Sequence, residues 1–67
     1  MKIINDSTFF GENGQRAEVL IYDGDEGVKY QVVKLYNDVR FGEDWFTDLN
    51  TATDFAEDFI LKTPIVQ

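Results

Sequence analysis

Residues 17–36 read AEVLIYDGDEGVKYQVVKLY, and this stretch decides the fold. Val19-Leu20-Ile21-Tyr22 forms the centre of a strand over Ala17 to Asp23. From Val28 to Tyr36, Lys29, Gln31, Val33 and Leu35 alternate with Val28, Tyr30, Val32 and Lys34, the period of a strand. Both runs are rich in β-branched and aromatic side chains, which fit a pleated, partly buried surface. Asp23-Gly24-Asp25-Glu26-Gly27 between them carries two glycines and no large apolar residue, so the runs join as a tight antiparallel hairpin.

Toward the C-terminus, Asn37-Asp38 supplies a second turn. It returns the chain as a third strand over roughly Val39 to Phe46, interrupted near Gly42 by a bulge or bend. The period then changes. Leu49, Ala52, Ala56, Phe59 and Ile60 recur at spacings of three and four, with Phe55 at the margin and Asp54, Glu57 and Asp58 elsewhere on the wheel, which is an amphipathic helix. Asp48 is the preferred N-cap, with Thr47 and Asn50 as alternatives, because its carboxylate can accept from free amides of the first turn. Lys62 suits the negative end of the helix dipole, and Pro64 ends the helix. Ile65-Val66-Gln67 follow as an apolar tail.

Toward the N-terminus, Asn13-Gly14 tolerates positive φ at both residues and makes a turn into the first secure strand. Before it, Lys2-Ile3-Ile4-Asn5 reads as a short edge strand. Phe9-Phe10 reads as an apolar anchor between turn-forming groups at Asn5-Asp6-Ser7 and Gly11-Glu12-Asn13-Gly14. The expected architecture is one α+β domain over residues 1–67: a three- or four-stranded antiparallel meander with one C-terminal helix packed on a face, β-β-β-α. The helix covers only one face. Because the first strand offers Val19 and Ile21 on one side and Leu20 and Tyr22 on the other, the second face needs a cover, either the Phe9-Phe10 segment or another subunit.

Composition excludes several classes of function. At 67 residues, a chain of this size buries only about 60% of what it exposes when unfolded and has little room for an enclosed pocket. There is no cysteine, which removes disulfides, thiolate zinc sites and cysteine nucleophiles, and no histidine, the commonest general base and metal ligand. Apolar residues make up 43% and aromatics 15%, too much for a disordered acidic tail. The longest apolar run, Val19 to Tyr22, is far too short for a membrane span or a signal-peptide core, so a soluble, cytoplasmic protein is expected. A net charge of −7 and a pI near 4.2 disfavour direct binding to the phosphates of DNA or RNA.

Motifs that suggest chemistry fail on inspection. The Asp23–Gly27 loop resembles the start of a calcium loop, but Val28 holds the position of the obligatory glycine and Lys34 that of the bidentate glutamate. The adjacent acids Glu43-Asp44 and Glu57-Asp58 diverge on a strand or helix instead of converging on a substrate. No lysine and helix start follow the glycines at phosphate-loop spacing. No catalytic residue, metal ligand or cofactor is therefore assigned.

What distinguishes the chain is the segment from Asp38 to Asp58, with seven acids against the single base Arg40, together with Phe41, Trp45, Phe46, Phe55 and Phe59. Its bland reading is that Phe46, Phe55 and Phe59 fill the core while the acids keep a small protein soluble. Its functional reading is a partner-binding surface of Phe41, Glu43, Asp44, Trp45, Asp48, Asp54 and Asp58, with a ring as anchor and carboxylates steering a basic partner.

The run Phe46-Thr47-Asp48-Leu49-Asn50-Thr51-Ala52, with Ala56 beyond it, resembles the strand-to-helix passage of the plant APETALA2-type DNA-binding domain, three strands and a helix. That resemblance implies topology alone, because the strands carry Glu18, Asp23, Glu43 and Asp44 where that family carries arginines. In type the chain also resembles the small acidic proteins of tailed bacteriophages, including cyanophages, on the strand-helix stretch from Tyr30-Gln31-Val32-Val33-Lys34-Leu35-Tyr36 through Phe59. The resemblance implies a role in the host cytoplasm, binding a host or phage protein. The functional expectation is thus a non-enzymatic binding module that modulates or inhibits a basic or nucleic-acid-handling protein. Its alternatives are a DNA mimic, whose acids along residues 38–58 imitate phosphates, and a small structural subunit or homo-oligomer with no regulatory role; a dimer formed through the sheet face or an edge strand is expected as well.

Overall fold

The computed structural model describes residues 2–62, and Pro64 and the Ile65-Val66-Gln67 tail lie outside them. Four strands, β1 (Lys2–Phe10), β2 (Gln15–Gly24), β3 (Gly27–Tyr36) and β4 (Val39–Phe46), precede one helix, α1 (Leu49–Leu61). The strands form an antiparallel meander in the order β1-β2-β3-β4, with α1 laid across one face. The expected α+β architecture is present, in its four-stranded form.

Each turn takes the geometry its residues favour. Asn37 and Asp38 both adopt positive φ, 51° and 67°, the two left-handed residues that a tight hairpin requires. In the β2–β3 hairpin Gly27 takes φ 112°, so the glycine absorbs the conformation that its acidic neighbours avoid. Gly14 at φ 89° closes the β1–β2 connection, and its carbonyl accepts from the Asn37 amide at 2.9 Å, tying two turns at the same end of the sheet.

The N-terminal segment differs from expectation. Asn5-Asp6-Ser7 makes no turn. It is a β-bulge inside a continuous strand, where the register passes from Asn5↔Leu20 to Ser7↔Val19 and leaves Asp6 as the extra residue. Phe9-Phe10 is accordingly no separate anchor: Phe9 pairs with Ala17 and packs toward the core, whereas Phe10 pairs with Arg16 and points to the other face, 71% exposed. Backbone pairing along nine residues outweighed the local turn signals, which the bulge accommodates at the cost of one unpaired residue. The bulge expected near Gly42 is present, since Lys34 pairs with Gly42 and Leu35 with Arg40, leaving Phe41 extra.

The core lies between sheet and helix. Ala17, Val19 and Val32 from the strands meet Ala52 and Ala56 of α1, all fully buried, with Phe9, Tyr30, Phe46, Leu49, Phe55, Phe59 and Ile60 packed around them. Two alanines on the inner stripe let the helix backbone come close to the sheet, while the rings fill the flanks, Phe46 against Phe55 at 5.2 Å and Phe41 against Phe59 at 5.7 Å. Lys34 also stands on this face. Its ammonium is 3.0 Å from the Asp44 carboxylate and within 5.7 Å of the Phe41 and Phe55 rings, and Gly42 beside its stem leaves it room.

The helix is fastened at both ends. Asp48 is the N-cap, as its sequence position suggests, and its carboxylate accepts from the Thr51 amide at 2.9 Å and from the Thr51 hydroxyl at 3.0 Å. At the C-terminal end the buried Gln15 donates through Nε2 to the Lys62 carbonyl at 2.6 Å, and its Oε1 accepts from the Asn13 amide at 2.8 Å. One side chain therefore joins β2, the β1–β2 turn and the end of α1. Gln15→Leu should cost about 2 kcal/mol, because both partners lose their hydrogen bond within a part-buried site. Urea unfolding measures the loss, and amide exchange should accelerate first in the last turn of α1.

Candidate functional site

Cross-strand register sorts the side chains between two faces. The face away from α1 carries Ile3, Asn5, Thr8 and Phe10 from β1, and Arg16, Glu18, Leu20 and Tyr22 from β2. β3 adds Lys29, Gln31, Val33 and Leu35, and β4 adds Arg40, Glu43 and Trp45. Among the described residues no helix covers this face, yet Gln31, Val33 and Leu35 are buried. Long side chains stand in register on either side of each: Arg16 and Arg40 flank Leu35, Glu18 and Glu43 flank Val33, and Leu20 and Trp45 flank Gln31. Such stems cover apolar surface while their charged ends stay in water. These stems cover the middle of the second face only: Phe9 packs on the helix side, and Ile3, Phe10 and Trp45 remain at least half exposed on the open face.

A hydrogen-bonded chain runs across the same face. The Tyr22 hydroxyl donates to Gln31 Oε1 at 2.8 Å, Gln31 Nε2 donates to Glu43 at 2.5 Å, and Arg40 pairs with the other Glu43 oxygen. Trp45 lies against Tyr22 with ring centroids 4.9 Å apart and remains 50% exposed. Arg16 is held beside Glu18 at 3.5 Å and by Asp38 at 2.8 Å. With Arg16, Lys29 and Arg40 against Glu18 and Glu43, the face carries a net charge of +1. The rest of the chain therefore carries −8 of the total −7.

Seven of the remaining eleven acids occupy the helix and the hairpin tip, whereas Asp6, Glu12, Asp38 and Asp44 lie on β1, the other two turns and β4. Asp54, Glu57 and Asp58 are exposed on α1, with Asp48 at its start, and Asp23, Asp25 and Glu26 cluster around the β2–β3 turn. Among the described residues only Asp58 of these seven has an ion-pair partner, Lys62 at 2.8 Å. The acids of α1 and the Trp45 ring that adjoin in sequence are thus on opposite faces of the sheet, apart from Asp48 at the start of the helix.

The seven residues singled out in the sequence fall in three places. Glu43 and Trp45 share the open face. Asp44 and Phe41 lie on the helix side, Asp44 paired with Lys34 and Phe41 against Phe59 yet still 57% exposed. Asp48, Asp54 and Asp58 belong to the acidic helix. Sequence reasoning passed over Tyr22 and Gln31, which hold Trp45 and Glu43 in place. The signal was available: with the hairpin register fixed by the Asp23–Gly27 turn, alternation sets Leu20 beside Gln31 and Tyr22 beside Lys29.

At the hairpin end, one shallow groove is lined by Lys29, Trp45, Phe46, Thr47, Asp48 and Thr51, and another by Tyr22, Lys29 and the turn from Gly24 to Gly27. Both are open to solvent. The first holds one carboxylate, Asp48, already engaged as the helix cap. Among the described residues no three carboxylates gather to hold a metal ion, and no helix is long and apolar enough to cross a membrane. Comparison with protein-family models, with curated proteins and with solved structures finds no match to this chain.

Proposed function

We propose that this chain is a non-enzymatic protein-binding module that presents the acidic side of α1 and the β2–β3 tip to a basic partner. The segregation of charge supports this reading: −8 lies away from the open face, and among the described residues Asp48, Asp54 and Glu57 of α1 and Asp23, Asp25 and Glu26 of the tip are exposed with no ion-pair partner. Such a surface raises the encounter rate with a cationic protein and rejects acidic ones. Nucleic-acid-handling proteins carry suitable surfaces, since their affinity for phosphate rests on lysine and arginine. Occupying that surface would block it, which makes modulation or inhibition the natural consequence. The elongated body, 44 × 20 × 18 Å, with Asp48, Asp54, Glu57 and Asp58 along α1, is the observation behind the alternative of phosphate mimicry.

Capture from lysate of the source cell, with the wild type and an Asp54→Lys, Glu57→Lys variant, tests the proposal. The wild type should retain a basic protein that rising salt releases, and the variant should lose it while its circular dichroism is unchanged. Recovery of the same protein by the folded variant would overturn the assignment. Competition by duplex DNA for the captured protein separates mimicry from docking elsewhere on it.

A further inference from the structure

We propose that the open face of the sheet is the interface of a homodimer, in which two copies stack face to face as a sandwich with both α1 helices outermost. Charge selects this face. Two chains of −7 each repel one another on every approach that brings helix or hairpin tip together, whereas the open face carries +1. The face also presents large exposed apolar groups, Ile3, 54% exposed, Phe10 and Trp45, although others such as Val39 and Phe41 are exposed on the helix side, so charge and not apolar exposure selects it. Area is sufficient as well. A stable dimer covers about 800 Å² of each copy, roughly a sixth of the 4681 Å² this chain exposes, and one broad side of a 44 × 20 × 18 Å body is of that size.

The face is complementary to itself. With a two-fold axis lying between the sheets and across the strands, each strand meets its own copy running the other way. Ile3 of one copy then faces Phe10 of the other, Tyr22 faces Arg16, Leu20 faces Glu18, Lys29 faces Leu35, and Trp45 faces Glu43. No two like charges are opposed, Arg16 meets the Tyr22 ring, and the acidic β2–β3 tips sit at opposite ends. The edges offer no comparable route. β1 is interrupted at Asp6 and β4 at Phe41, and bulges of this kind protect edge strands from pairing.

Sedimentation equilibrium over a wide concentration range, at low and high salt, decides the matter, with the single tryptophan as an internal reporter. The wild type should pass from monomer to dimer, its Trp45 emission should shift to shorter wavelength as it does so, and salt should tighten the dimer by screening the net charge. The basic-partner complex should respond to salt in the opposite sense, so failure of one proposal is distinguishable from failure of the other. Ile3→Asp with Phe10→Asp replaces side chains already exposed in the monomer, so folding at low concentration should be retained while the dissociation constant rises by at least about 100-fold. Leu61→Asp, 74% exposed and off the face, should change nothing. A monomer at all accessible concentrations, or a dimer that survives the double substitution, would overturn the proposal.

Discussion

Alanine in place of Gly11 is expected to remove about 3 kcal/mol of stability, a large share of the roughly 3–10 kcal/mol that a domain of this length holds. A Cβ at this position would stand 2.7 Å from the Ile60 carbonyl oxygen, 2.8 Å from Gln15 Oε1 and 3.1 Å from Gln15 Cβ. The nearest of these atoms is helix backbone, so no rotamer change relieves the contact. Either the end of α1 lifts from the β1–β2 turn or the turn opens, and both movements break the Gln15 link to the Lys62 carbonyl. Gly27→Ala is the useful contrast. Nothing lies within 4 Å of its would-be Cβ, and only the φ of 112° is strained, for a cost of about 1 kcal/mol. Urea denaturation followed by Trp45 fluorescence ranks the two, and a Gly11→Ala variant no worse than Gly27→Ala would mean that α1 does not end against this turn.

The elements from Ala17 onward were legible because local and long-range preferences coincide there. Alternation, glycine-bearing turns and the helical spacing of Leu49, Ala52 and Ala56 all point to the structure the chain adopts. The first sixteen residues were harder because local chemistry contradicts the outcome. Asn5-Asp6-Ser7 favours a turn, and what overrides it is pairing to β2, a partner whose register cannot be read from residues 1–16 alone. The same pairing turns Phe9 inward and Phe10 outward, a division that adjacency in sequence conceals.

The candidate surface was legible in composition but not in arrangement. Counting acids and rings between Asp38 and Asp58 suggested one acidic, aromatic patch. A strand alternates faces, however, and the bulge at Phe41 shifts the parity within β4, so Glu43 and Trp45 part from Asp44 and Phe41. α1 then carries Asp54 and Asp58 to the far side of the molecule. The separation has a functional consequence: if the acids act on a basic partner and the rings on a second copy, the two contacts can be made at once, and dimerisation would display two acidic surfaces. A bivalent ligand of that kind gains avidity for any target offering two basic sites within reach.

Ala56→Leu is expected to cost about 3 kcal/mol and to act on the whole fold instead of on one end of it. Ala52 and Ala56 are fully buried against Ala17, Val19 and Val32, and their small size sets the distance between helix and sheet. A leucine at position 56 cannot be placed on that seam without raising α1. The rings that close its flanks would then lose contact together, Phe46 with Phe55 and Phe41 with Phe59, as would the Lys34 ammonium held near Phe41 and Phe55. A sheet stripped of its helix would expose Val19 and Val32, and the described residues hold no second layer to replace it. Unfolding should therefore remain a single cooperative transition at a lower urea midpoint, with tryptophan fluorescence and far-ultraviolet circular dichroism falling together. Asp58→Leu, on the solvent side of the same helix, should stay within about 0.5 kcal/mol of the wild type. If the two leucine variants prove equally stable, α1 does not rest on the sheet through its alanine stripe.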